Sequence, residues 1–312
     1  MSEKRKNPLR LFFHNLKWLT RVDLKKINNF VNIIDNEIDQ RLKNVRSDCS
    51  LMVDNLKYEL PDNPFHIQKP EIYDFEKSLD ILCNSTKSLI RFGDGEILIM
   101  KGREIPFQKP DPALAERLKS IIRSNDPDIL TGINYHYWYA DLSLFHDYVK
   151  FVYRTYISDV RSYWESLLVP DKQYCAAGIS SAYTTFKSWP FDRWYAKWRS
   201  IWDGKDITCI CGEGVFKEIE HNIFDNAKSV DYLYIPSKNA FDGYDDILKQ
   251  AGRTDKNRLV VLIAGPTAKP LAYDLCQDGY RCLDVGHLAK DYNAWKTEMP
   301  TDQKAIEKFF ES

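Results

Sequence analysis

The stretch "RLVVLIAGPTAKPLAYDLCQDGYRCLDV", residues 258–285, decides the fold. An apolar run leads into a Gly-Pro-Thr turn, a helical segment over 268–277 follows, and a second apolar run closes the unit. Strand, turn, helix and strand in that order make a parallel crossover, because parallel neighbours need a long connection that is usually helical. Outward from it, "KSLIRF", "PDILTGI", "KDITCIC" and "SVDYLYI" read as further strands. Helices are predicted over 72–85, 111–123, 140–168, 192–202, 242–251 and 289–295. The alternation predicts an α/β, Rossmann-like domain over 70–312, with a largely parallel sheet flanked by helices.

The amino-terminal part is different. Ile27, Phe30, Val31, Ile34, Ile38, Leu42 and Val45 recur at steps of three and four, the spacing of an amphipathic helix. Before them, "NPLRLFFHNLKWLT" mixes large apolar residues with basic ones, and residues 1–26 hold eight Lys and Arg against two acids. Residues 1–60 therefore read as a basic helical arm. It suits either packing on its own domain or a second subunit, or lying on an anionic membrane surface. The proline-marked "ELPDNPFHIQKPEIYD" separates arm from body.

The composition bounds the function. A chain of 312 residues, 44% apolar and with net charge −1, can bury a sizeable core and gives no reason to expect a nucleic-acid partner. Its seven cysteines include no CxxC pair, which points to reducing cytoplasm; Cys209 and Cys211, on one face of a strand, read as core. Neither a signal peptide nor an apolar run of spanning length is expected.

Chemistry in open α/β sheets collects beyond the carboxyl ends of strands. In "SLIRFGDGEILIMKG", residues 88–102, Asp94 and Glu96 would point the same way if the strand continued, with Gly95 letting the backbone turn. Two converging acids require a metal, a shared proton or a basic partner, and Arg91 stands three residues before Asp94. "GPTA" at 265–268 suits a phosphate, with Thr267 placed to cap the helix, though a plain helix start explains it equally well. Gly212 opens "GEGVFKE", which also suggests a weak dinucleotide fingerprint with Asp231 as ribose acid and an oxidoreductase reading. His136 and His146, among aromatics, read as packing or as a substrate platform.

The ordered blocks "IRFGDGE", "KNAFDGYDDIL" and "LIAGPTAKPLAYDLCQDGYRCLDVGH" resemble the bacterial GT-D glycosyltransferases, formerly an uncharacterised domain, over about residues 75–295. The resemblance implies transfer of a sugar from a nucleotide-diphosphate sugar, commonly a UDP-sugar, with Mn²⁺ or Mg²⁺ as cofactor. Asp94 and Glu96 would hold the metal, directly or through waters. Arg91, Phe92, Gly93, Gly95, Gly212, Gly265 and Thr267 would line the donor site, and His287 and Asp291 are candidates for the base. It also implies a cell-surface glycan or glycoprotein acceptor; the cysteine usage adds a cytoplasmic setting, and the basic arm adds contact with the inner face of the plasma membrane or a homo-oligomer as further expectations. Departures from the family pattern in "GHLAKDYNAW", "KEIEHNIFDN" and "GISSAYTTF" motivate the alternative of a catalytically weak member acting as a scaffold.

Overall fold

The computed structural model of the chain describes Leu9 and residues 24–60, 62, 66–139 and 141–311. Among them seven strands form one sheet: β1 (Ser88–Arg91), β2 (Ile129–Ile133), β3 (Cys175–Ala176), β4 (Asp206–Gly212), β5 (Ser229–Ile235), β6 (Leu259–Ile263) and β7 (Cys282–Asp284). Their order across the sheet is β3-β2-β1-β7-β6-β4-β5, and every pairing is parallel. Six strands coincide with the six apolar runs; β3 is too short to leave a run of its own. The α/β, Rossmann-like reading matches this sheet.

The helices are α1 (Leu24–Glu59), α2 (Phe75–Cys83), α3 (Asp94–Met100), α4 (Pro112–Arg123), α5 (His136–Tyr139), α6 (Asp147–Leu167), α7 (Ala182–Thr185), α8 (Phe191–Ser200), α9 (Tyr244–Ala251), α10 (Ala268–Gln277), α11 (Leu288–Lys296) and α12 (Gln303–Glu311). The helix expected over 140–168 begins only at Asp147, after a short 3-10 turn at Leu142–Leu144. Alternation along the strands divides the core in two. Ile90, Cys282, Val260, Leu262 and Ile210 face one side, with α4, α6, α9 and α10 packed over them; Leu89, Leu283, Leu259, Val261, Cys209 and Cys211 face the other, under α2, α8 and α11. The two strand cysteines are therefore core, as read.

α1 continues past Val45, the last of the apolar positions spaced for it, to Glu59, and its last turns dock on the body. Leu51, Asp54 and Tyr58 are buried, and Arg161 of α6 donates to Asp54 Oδ2 at 2.9 Å and Asn55 Oδ1 at 2.7 Å. Tyr58 also donates to Glu165. The basic stretch 1–22, apart from Leu9, lies outside the described residues. Among the described residues no helix is long and apolar enough to cross a membrane.

Candidate active site

β1 and β7 lie side by side, Leu89 opposite Leu283. Beyond β1 the chain turns to the first face as α3, whereas beyond β7 it turns to the second as α11. Such a divergence opens a crevice at the carboxyl ends of the strands. Four charged residues meet there: Arg91 ends β1, Asp284 ends β7, Glu96 lies in the first turn of α3 and Lys269 in the first turn of α10. Lys269 Nζ lies 2.8 Å from Glu96 Oε1 and 3.2 Å from Asp284 Oδ2, and donates to the Gly265 carbonyl at 3.1 Å. Arg91 donates through Nε to the Asp284 carbonyl at 2.7 Å and through Nη1 to that of Ala177 at 2.9 Å, with Nη2 3.3 Å from Asp284 Oδ1.

Two cations balance two anions in a place nearly closed to water. Burial alone would push the Asp284 carboxyl up, but Lys269 and Arg91 hold it below its ordinary value. Burial alone would lower the Lys269 ammonium, yet Asp284 and Glu96 raise it. Both shifts favour the ionised pair. Gly286, just past β7, is what lets Arg91 lie there: its φ is +47°, and a Cβ at that position would come within 2.1 Å of Arg91 Nη2.

Asp94 stands apart from this pair of pairs. It does not continue a strand: β1 ends at Arg91, Gly93 caps α3, and Asp94 and Glu96 open the helix. The prediction that they converge as i and i+2 of a strand is thus corrected; in a helical turn such residues diverge. Glu96 turns back, its Oε2 accepting from the Gly93 amide at 2.8 Å, while Arg91 partners Asp284 rather than either acid. Asp94 Oδ1 accepts from Asn134 Nδ2 at 3.0 Å and from the Tyr137 hydroxyl. These donors are neutral, and among the described residues no Lys or Arg is paired with Asp94. Asp94 is exposed to the crevice, but the protein packed around its carboxyl, with Glu96 nearby, raises its pKa against the lowering effect of the Tyr137 and Asn134 bonds.

This arrangement tests whether a divalent cation fits. No cluster of three or more His, Cys, Asp or Glu exists among the described residues, so a cage made of protein alone is absent. Mg²⁺ needs only one or two carboxylates when substrate phosphates complete its shell, and an Asp94 neutralised by no cation meets that need. Glu96, shared with Lys269, is the less available ligand.

The other predicted residues separate into those that border the crevice and those that do not. Gly265, with φ +52° and open space where a Cβ would stand, borders it, as does Gly93 beside Glu96; Gly95 instead backs onto Ile105, whose Cδ1 a Cβ would meet at 3.5 Å. Phe92 does not: its ring is fully buried and its amide donates to the Gly132 carbonyl at 2.8 Å. Thr267 caps nothing; its hydroxyl is buried without a hydrogen-bond partner among the described residues. Gly212 closes on the loop after β5, where a Cβ would lie 2.9 Å from Ser237 Oγ. The dinucleotide fingerprint fails because no helix follows Gly214, and Asp231, within β5, pairs with Arg258 at 3.0 Å.

His287 follows Gly286 and packs on Phe309 and Phe310. Burial, reinforced by Lys290, Arg91 and Lys269, lowers its pKa to about 4, so the imidazole is neutral with a ring nitrogen unprotonated. Asp291 faces the second core, one turn further along. It accepts from the Tyr183 and Thr184 amides at 3.0 Å, from Thr184 Oγ1 at 2.8 Å and from the Tyr195 hydroxyl at 2.6 Å. Those four donors fill its acceptor positions and pin α7, which is a structural task. His136, stacked on Phe75 with ring centres 4.9 Å apart, and His146, bonded to the Tyr183 carbonyl, are packing residues.

Sequence reasoning missed Lys269, Asp284, Asn134, Tyr137 and Gly286. Asp284, Gly286 and Asn134 lie at or just beyond a strand end, and Lys269 and Tyr137 in the helix that follows one, which is the signal that could have found them. The middle block acts as a brace: Asn239, at φ +51°, accepts from the Lys109 amide at 2.8 Å, and Tyr244 donates to Asp274 of α10 at 2.6 Å.

The profile of the Glycosyltransferase GT-D fold family matches residues 89–311. The chain is 31% identical over 230 residues to "Probable glycosyl transferase Gly" of Streptococcus gordonii, covering 71% of this chain and 32% of that protein. It is 28% identical over 243 residues to "Glycosyltransferase GlyD" of Streptococcus pneumoniae, covering 76% and 30%. It spans about a third of the length of these curated relatives. Among solved structures, one described as a domain of unknown function with a distinct glycosyltransferase fold superposes with TM-score 0.71 at 26% identity, over 82% of this chain and 87% of that one. Another, described as a new glycosyltransferase from Streptococcus sanguinis, gives 0.69 at 28% identity, over 74% and 86%. With its parallel sheet, the charged crevice beyond β1 and β7, and a family profile matching nearly all of the chain that follows α2, this chain belongs to the GT-D fold glycosyltransferases.

Proposed function

We propose that this chain transfers a sugar from a UDP-sugar, with Mn²⁺ or Mg²⁺, to a hydroxyl of a cell-surface glycan or glycoprotein. The observation that carries the reading is the buried Arg91–Asp284–Lys269–Glu96 cluster at the crevice, with cation-free Asp94 beside it. Arg91 and Lys269, held in place by Asp284 and Glu96, set preorganised N–H donors where a diphosphate would leave, and fixed donors stabilise a developing anion without reorganisation, while net positive charge would come from the divalent cation. Asp94 would hold the cation, and Glu96 would reach it through water. When bound, that ion neutralises charge on the departing diphosphate.

In the transfer the bond from the anomeric carbon to the phosphate oxygen breaks and a bond to the acceptor oxygen forms. The acceptor proton passes to a base, and we assign that role to neutral His287. Contact of residues 1–22 with the inner membrane face would bring enzyme and acceptor together. A panel of nucleotide sugars, assayed for Mn²⁺-dependent release of the nucleotide, tests the proposal. UDP-sugar turnover is expected. Binding without turnover for every donor would favour the scaffold alternative, and no binding at all would refute the donor class.

A further inference from the structure

α1 carries an apolar stripe that nothing among the described residues covers. Val31, Ile34, Ile38, Leu42, Val45, Val53 and Leu56 are 39–64% exposed, and Cys49 is exposed among them. Their steps of three, four and four match 3.6 residues per turn, so the stripe runs straight for about 38 Å. At 100° per residue, Leu51, Asp54 and Tyr58, which dock the helix on the body, lie on the opposite side. Docking therefore leaves the stripe open to solvent.

The stripe is almost its own mirror image about residue 40. Reversing the helix sets Val31 opposite Cys49, Ile34 opposite Val45 and Ile38 opposite Leu42. Charges on the flanks follow the same symmetry. Asp35 and Arg46 border one side of the stripe, Glu37 and Arg41 the other. Two helices packed antiparallel bring like flanks together, so Asp35 meets Arg46 of the second copy and Glu37 meets Arg41 of the second copy. A parallel, in-register pairing brings opposite flanks together and sets Arg41 against Arg46 of the second copy, a repulsion. Within one chain Arg41 reaches Glu37 at 2.6 Å, and both side chains are exposed, at 77% and 60%, where a second copy can meet them.

We propose that α1 is a dimerisation helix, pairing antiparallel about a two-fold axis near residue 40 with α1 of a second copy of this chain. A self-complementary patch is what a closed two-fold dimer requires. The occupant is a second copy because both the apolar spacing and the charge order complement themselves.

The full-length chain should sediment at twice 36.6 kDa. The double variant Ile38→Asp with Leu42→Asp, at exposed positions, should halve that mass and leave the circular dichroism spectrum unchanged. Arg41→Glu should weaken the dimer at least tenfold, and adding Glu37→Arg should restore it. Mild oxidation of Val31→Cys should give a disulfide to Cys49, which must be intermolecular because the two positions are about 27 Å apart along one helix. A single-chain mass, a Cys49–Cys49 link in place of the Val31→Cys link, or a monomer whose stripe instead binds anionic phosphatidylglycerol vesicles would each overturn the proposal.

Discussion

Replacing Lys269 by Met keeps the length of the side chain and removes its charge from the centre of the crevice. Lys269 is 6% exposed, with carboxylate oxygens 2.8 and 3.2 Å from its ammonium. At an effective dielectric of about 20, each contact is worth roughly 5–6 kcal/mol of attraction, offset by the desolvation of the lysine and by Arg91. The net cost of breaking such a buried pair is about 3–5 kcal/mol, because Glu96 is left with the Gly93 amide as its main remaining donor. Out of a typical stability of about 5–15 kcal/mol this is a large fraction, readable by urea unfolding followed by circular dichroism. Asp284 keeps Arg91 and should stay ionised. Adding Glu96→Gln removes the stranded charge and should recover about 1–3 kcal/mol, a coupling that the double-mutant cycle isolates. A loss under about 1 kcal/mol for Lys269→Met, or additive effects in the cycle, would show that the cluster is not the buried network described.

Gly286→Ala should cost about 1–2 kcal/mol for the left-handed backbone, and more because its Cβ displaces Arg91. Gly102→Ala, at φ +73° with nothing within 4 Å, should show the backbone cost alone, so equal losses would deny the contact with Arg91. Acid should destabilise the fold well above the carboxylate range. Burial holds His136 at about 3 and His287 at about 4, against 6.5 when unfolded. The unfolded state thus binds more protons, and stability is lost as pH falls from about 6.5 toward the folded values, by ~1.4 kcal/mol per histidine for each pH unit. His136→Phe should flatten part of that slope in denaturant titrations across this range; an unchanged slope would contradict the assignment. Asp291→Asn should lower the melting temperature while leaving specific activity at low temperature nearly intact, and the reverse pattern would return Asp291 to the chemistry.

What the sequence disclosed follows from how each feature is written in it. "RLVVLIAG" and "YRCLDV" are buried on both faces of a parallel sheet, so they appear as apolar runs, and the helix between them has its own period. β3 is two residues of Cys175–Ala176 and leaves no such trace. Asp94 and Glu96 were legible as a charged pair at a strand end, but whether the chain stays extended past Arg91 depends on Gly93 and on the returning Glu96 bond, neither of which has a period. Lys269 and Asp284 lie 173 and 188 positions beyond Glu96 and Glu96's own turn gives no hint of them; only the adjacency of β1, β6 and β7 in space brings them together. Asp291, an acid one turn after Gly-His, looks free in sequence, whereas its partners come from 183–195.

The central claim is that Asp94 holds a divalent cation against the diphosphate of the donor, and calorimetric titration of UDP into the full-length chain and its Asp94→Asn variant, with and without Mn²⁺, tests it most directly. Mn²⁺ should tighten UDP binding to the unaltered chain at least tenfold, ~1.4 kcal/mol, and should have almost no effect on the variant, which keeps the weaker metal-free affinity supplied by Arg91 and Lys269. An Asp94→Asn chain that retains the full Mn²⁺ enhancement would contradict the account.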